Sequence, residues 1–87
     1  MKIVLNGTFG GFHLGKGFCK EYGYNTPWYW DGERSDEQLV SWVEEHPDDN
    51  PELKVVEIPD EATDWQIHEY DGLENVIAVL NGKIWWF

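Results

Sequence analysis

Eighty-seven residues with 17 acidic and six basic side chains carry a net charge of −11. A chain this short buries only about 60% of its unfolded surface, which predicts one domain over residues 1–87 with a marginal core. The charge argues against direct binding of DNA or RNA, yet it suits approach to a basic surface that ordinarily holds nucleic acid.

Six Trp, four Tyr and four Phe make up 16% of the chain. Each buried ring removes roughly 150–250 Å² from water. So small a core cannot hold all of them, and the surplus is expected to line a pocket or an oligomer interface. Cys19 is the only cysteine, so no intrachain disulfide forms and a reducing compartment is the natural setting. The opening stretch from Met1 to Gly7 is too short in apolar residues for a signal peptide, and no run approaches the ~18 apolar residues of a membrane span. The expectation is a cytosolic protein without a membrane partner.

Along the chain, Lys2–Asn6 reads as a short strand with β-branched Ile3 and Val4, ended by Gly7. A glycine-rich stretch follows, containing Phe9-Gly-Gly-Phe12, His13 and Lys16. Such a turn after a strand can present backbone N–H groups to an anion, although Gly7, Gly10 and Gly11 fit neither a Walker loop nor the dinucleotide fingerprint. The alternative is a tight connection that needs Gly-Gly for its backbone angles. Leu14–Tyr22 is expected to form a short helix, with Gly15 and Gly17 each costing about 1 kcal/mol. In Tyr24–Gly32, a strand would place Trp28 and Trp30 on one face, as core or as a ligand platform.

The clearest helix signal begins at Ser35, read as an N-cap with Gln38 completing a capping box. Leu39, Trp42 and Val43 follow helical spacing and are expected to be buried, with Pro47 stopping the helix near His46. Leu53–Ile58 is nearly continuous in apolar character, the pattern of a strand buried on both faces. Asp64–Tyr70, Glu74–Leu80 and Lys83–Phe87 complete the strands. Asp71-Gly72 marks a turn, and Asn81-Gly82 is a strong hairpin signal. The expected fold is α+β: a mostly antiparallel sheet of four to five strands, with a capped helix at about 35–46 and a short N-terminal helix packed on one face.

Met1-Lys-Ile-Val-Leu-Asn6 with Phe9-Gly-Gly-Phe12, Arg34-Ser-Asp36, Leu53-Lys-Val-Val-Glu-Ile-Pro-Asp60 and Glu69-Tyr-Asp-Gly72 form a pattern over nearly the whole chain. In this the sequence resembles a family of small, mostly uncharacterised phage-encoded proteins. It departs from the family pattern at Asp36-Glu37, where relatives carry Asp-Pro, and in the tail Asn81–Phe87, where relatives are basic and contain His. The resemblance implies an accessory protein of a phage, acting in the cytoplasm of an infected bacterial host.

Catalytic chemistry finds no constellation. Ser35 and Ser41 lack a nucleophile-elbow sequence, and His13, His46 and His68 are too scattered for a metal motif, so no cofactor is expected. Arg34 stands apart as the only arginine, just ahead of a helix start and a few residues after Trp28, Tyr29 and Trp30. A guanidinium grips phosphate with both arms or stacks on a ring. The alternative is that Arg34 pairs with a surface acid and, as an exposed side chain, contributes only about 0–1 kcal/mol to stability. With the phage setting that the resemblance implies, the first functional expectation is a non-enzymatic counter-defence protein that sequesters a small nucleotide-like immune signal. Phe9, Gly10, Gly11, Phe12, Lys16, Trp28, Trp30 and Arg34 would form its site, completed across an oligomer interface. The alternative is an acidic inhibitor that presents a nucleic-acid-like face to a basic host protein, such as a nuclease or CRISPR effector. Asp36, Glu37, Glu44, Glu45, Asp48 and Asp49 would form that face. An enzyme acting on a small molecule ranks last.

Overall fold

Lys2–Asn6 forms β1 in the computed structural model, which describes residues 1–87. There follow α1 (Lys16–Tyr22), α2 (Glu37–Glu45), β2 (Leu53–Glu57), β3 (Asp64–Tyr70), β4 (Leu73–Leu80) and β5 (Lys83–Trp86). The fold is α+β, and all strand pairing is antiparallel. The strands divide between two sheets, β1–β2 and β3–β4–β5.

That division explains the lack of alternation in β1. Ile3, Val4 and Leu5 are all fully buried, although neighbouring strand residues point to opposite faces. Val4 joins Leu14, Phe18, Leu39, Val40, Val43 and Leu53 beneath the helices. Ile3 and Leu5 join Ile58 and Val76 on the other side, against the three-stranded sheet. The β1–β2 ribbon is thus the middle of three layers, and β1 is its covered strand. β2 is less covered than its apolar run suggests. Lys54 and Glu57 are exposed and Val55 and Val56 only half-buried, because β1 is its sole neighbour in the sheet.

The helix signal near Ser35 shifts by one residue. Asp36 is the N-cap of α2, its Oδ1 accepting from the N–H groups of Gln38 at 2.9 Å and Leu39 at 3.1 Å. A carboxylate is both a cap and a negative charge at the positive end of the helix, so it adds charge to what a serine hydroxyl would supply. Leu39, Val40 and Val43 make the buried stripe. Trp42 is only half-buried, because its indole spans the helix flank, stacked on His46 at 3.8 Å between ring centroids. The Tyr24–Asp31 stretch forms turns and irregular chain in place of a strand. Trp28 and Trp30 accordingly do not share a face: Trp28 is exposed, while Trp30 packs on Phe18 and Tyr24.

Two tight hairpins build the second sheet. Asn81 and Gly82 have φ of 53° and 75°, and Asp71 and Gly72 have φ of 50° and 91°. Both pairs are two-residue connections with positive φ throughout, as a type I′ turn requires. β5 is continued by Phe87, which exchanges two backbone hydrogen bonds with Val76.

The cap assignment separates two adjacent residues by stability. Asp36→Ala is expected to cost about 1 kcal/mol in urea denaturation. Ser35→Ala should stay within about 0.5 kcal/mol of the parent. A larger loss at Ser35 than at Asp36 would contradict the observed cap.

Candidate functional site

Phe12 of the glycine-rich segment and Arg34 do come together, but around a carboxylate of the protein itself. Arg34 Nη1 and Nη2 donate to the two carboxylate oxygens of Glu74 at 2.6 and 3.1 Å. Glu74 lies on β4 with 8% of its side chain exposed, and Arg34 has 21%. The same Glu74 Oε1 accepts the N–H of Asn6 at 2.8 Å. The Arg34 backbone carbonyl accepts from the N–H of Val4 at 2.8 Å, so the segment before α2 lies along the edge of β1 that β2 leaves open. The face of the guanidinium is covered as well, with its central carbon 3.6 Å from the Phe12 ring centroid. The aromatic partner of Arg34 is therefore Phe12, not a nearby tryptophan. Arg34 does pair with an acid, but the expectation that the pair lies exposed at the surface is corrected: Glu74 is buried, and the arginine ties β4 to β1 and holds Phe12 over the joint.

The Gly10–Gly11 backbone also has a structural occupation. Gly10 N–H donates to the Asp71 carbonyl at 2.9 Å. A Cβ on Gly72 would come within 2.5 Å of the Gly10 carbonyl group. The loop is pressed onto the β3–β4 turn, and a side chain at Gly72 would force the two apart. Asn6 secures the same corner, its Nδ2 donating to the carbonyls of Thr8 and Gly72. Its buried Oδ1 has no hydrogen-bond partner.

The remaining expected site residues scatter. Phe9 and Trp28 are exposed, at 65% and 67%, with the Trp28 ring tilted against His13. Trp30 is drawn into the Phe18 aromatic cluster, and its Nε1 donates to the Glu33 carbonyl. Lys16 is exposed at the first residue of α1, beside an open groove lined by His13, Asp48, Asp49 and Glu52. The most enclosed cavity, among Leu14, Phe18, Leu39 and Trp42, holds only about 10 Å³, space for a single water. No group of three or more His, Cys, Asp or Glu side chains is placed to hold a metal ion.

Asp49 is a junction that sequence spacing does not reveal. Its carboxylate accepts from the N–H groups of Gly17 and Phe18, and from Trp42 Nε1. It caps α1 from more than thirty residues away, while Gly15 at the helix start offers no side chain. A Cβ on Gly15 or Gly17 would collide with the Asp49 carboxylate, so those two glycines make room for the remote cap. Burial pushes the Asp49 carboxyl upward, but hydrogen bonds from Gly17, Trp42 and Phe18, with the nearby His46, outweigh it and hold the group below its ordinary value. Burial, then the Asp49 charge, raises the Cys19 thiol, which favours its protonated, unreactive form.

The expected acidic face around α2 survives in part. Asp36 and Asp49 are occupied as caps, and Glu44 pairs with Lys2 at 2.9 Å. Glu37, Glu45 and Asp48 remain exposed, and none of them appears in an ion pair. Hydrogen bonding to Glu44 leads in raising the Lys2 pKa, and Glu57 adds to it by charge alone. Lys2 thus lies between two carboxylates.

Two measurements test these junctions. Arg34→Ala is expected to destabilise the fold by about 3 kcal/mol, because it leaves Glu74 buried without its counter-charge. Arg34→Lys should recover only part of that loss, since an ammonium cannot bridge both oxygens. Asp49→Asn should lower stability at neutral pH. A depressed native pKa gives stability that is full above the unfolded value of 3.8 and lost as pH falls through the folded pKa. The gap between wild type and Asp49→Asn should therefore be widest above about pH 5 and close as the pH drops below 3.8. Comparison of the chain with family models, with curated proteins and with solved structures yields no match, and its function is to be read from this geometry.

Proposed function

We propose that this protein is a non-enzymatic phage accessory protein that binds a basic host protein, a nuclease or CRISPR effector, through the acidic surface around α2. The observation that carries the reading is the occupation of Arg34. The only guanidinium in the chain is held in both arms by Glu74 and covered by Phe12, which removes the best anion-gripping group from any ligand site. What remains outward is a surplus of carboxylates. Glu37, Glu45 and Asp48 stand free on and just beyond one short helix, with Glu44 and Glu57 flanking Lys2. A rigid element carrying spaced negative charges imitates what a basic groove ordinarily binds, and it accelerates encounter through long-range attraction.

Sequestration of a nucleotide-like signal is the second reading, and one observation favours it. Phe9, next to Gly10 in the chain, and Trp28, whose ring lies beside Gly11 and His13, are both exposed as surfaces on which a base would stack. Lys16 would then be the cation left for phosphate.

Competition between this protein and double-stranded DNA for a purified CRISPR effector or defence nuclease tests the first reading. Displacement of DNA is expected, weakening steeply with added salt as screening shortens the reach of the charges. The combined change Glu37→Lys, Glu45→Lys and Asp48→Lys should reduce displacement on the order of tenfold or more. Undiminished displacement by that variant would exclude the α2 face. Calorimetric titration with cyclic and linear nucleotides decides the second reading. Saturable binding abolished by Trp28→Ala, without DNA displacement, would install it in place of the first.

A further inference from the structure

We infer that a second copy of this chain docks along the open edge of β5, so that two three-stranded sheets join into one of six strands about a two-fold axis. The exposure of β5 is the starting point. All four of its residues are exposed, with Ile84 at 67%, Trp85 at 50% and Trp86 at 60%. Trp85 and Trp86 point to opposite faces of the sheet, as successive strand residues must. A layer laid over one face would cover one of them. Only an element lying alongside β5 reaches both.

The backbone asks for the same occupant. Phe87 exchanges its N–H and C=O with Val76, and Trp85 stands opposite Ala78 two residues earlier. Hydrogen-bonded and non-bonded pairs alternate in an antiparallel ladder. Lys83, Trp85 and Phe87 therefore bond to β4, while Ile84 and Trp86 turn their N–H and C=O groups to the open edge. An antiparallel neighbour with Trp85 opposite its own equivalent sets Ile84 opposite Trp86 of the other copy, and Trp86 opposite Ile84. Those are the residues whose backbone groups are free, so the register that satisfies the two-fold closes four hydrogen bonds. It also pairs ring with ring at the axis and ring with aliphatic side chain on either side, which are favourable cross-strand combinations.

Charge selects a second copy over the basic partner proposed above. Lys83–Phe87 contains no acidic side chain, and its one charged side chain is Lys83 at the hairpin end. A basic partner gains nothing there, whereas two copies bring no like acids into direct contact. The edge also lacks the proline, bulge or inward charge that ordinarily blocks such pairing. The three exposed side chains offer on the order of 400 Å² per copy, about half of the roughly 800 Å² per partner of a standard interface, which points to a dimer that forms at high protein concentration.

Each copy still carries −11 in total, so self-association should strengthen with salt, the opposite of binding to a basic protein. Sedimentation velocity on the full chain at roughly 100 µM should show dimer, with a larger fraction at about 1 M than at about 0.1 M salt. Trp85→Lys and Trp85→Glu should each be monomeric, and an equimolar mixture should restore the dimer. Amide hydrogen exchange gives a variant-free readout. The Ile84 and Trp86 amides should be protected in concentrated protein and exchange freely on dilution, while Trp85 and Phe87 stay protected in both. A wild type that remains monomeric at both salt concentrations would overturn the inference. So would a dimer in which the Ile84 and Trp86 amides exchange freely.

Discussion

The two-armed pair between Arg34 and Glu74 is the constraint on which the arrangement of layers depends. The β1–β2 ribbon and the β3–β4–β5 sheet share no backbone ladder, so apart from the Gly10 N–H bond to the Asp71 carbonyl their relative position is set by side chains. Burial of Ile3, Leu5, Ile58 and Val76 holds them together without direction. Direction comes from Glu74, whose carboxylate receives the Asn6 N–H of β1 and both arms of Arg34. A carboxylate taken out of water is costly unless it is paired and hydrogen-bonded, and here it is both. The same residue thus enforces geometry: slippage of β4 against β1 would leave a buried charge without partners.

Acidity in this chain therefore has two uses that composition cannot separate. Asp36, Asp49 and Glu74 are inward-working acids. The first two complete the open N–H groups of helix starts, and the third locks the sheets. Asp49 shows how far this goes, since α1 begins at a glycine with no cap of its own and borrows one from the segment after α2. The glycines around it are the steric counterpart of that loan. The carboxylates that remain, with no hydrogen bond or cation to satisfy, are those available to a partner.

The outer surface is correspondingly divided. Acids gather around α2 and its flanks, while the free edge of β5 is apolar and nearly uncharged. Two surfaces of opposite character on one small domain answer opposite solution conditions. On the readings proposed above, the first would gain from low salt and a basic counterpart, the second from screening and a like neighbour. They lie on different layers, α2 above the ribbon and β5 at the far sheet, so occupancy of one leaves the other open.

Local signals were legible in the sequence wherever neighbouring residues decide the outcome. Asn81-Gly82 forms the hairpin turn with positive φ at both residues, and Leu39 and Val43 fall on the buried helix stripe that their spacing sets, while Trp42, expected beside them, is only half-buried. The strand segments and the α+β class follow from the same short-range patterns. The cap of α2 lies one residue past the expected one: Ser35 and Asp36 are both good caps, and it is the Asp36 carboxylate that accepts from the Gln38 and Leu39 N–H groups. Nothing local marked Arg34 as structural. Its partner Glu74 lies forty residues away among many other acids, and its covering ring, Phe12, precedes it by twenty-two. The division of five strands between two sheets was likewise a tertiary decision, because the hydrophobic pattern says which faces are buried but not which strands share hydrogen bonds. The sequence by itself determined the elements, their turns and the sign of the surface charge. The tertiary structure decided which acids are buried as partners and which are left to face other molecules, because pairing depends on distances that only the folded chain creates.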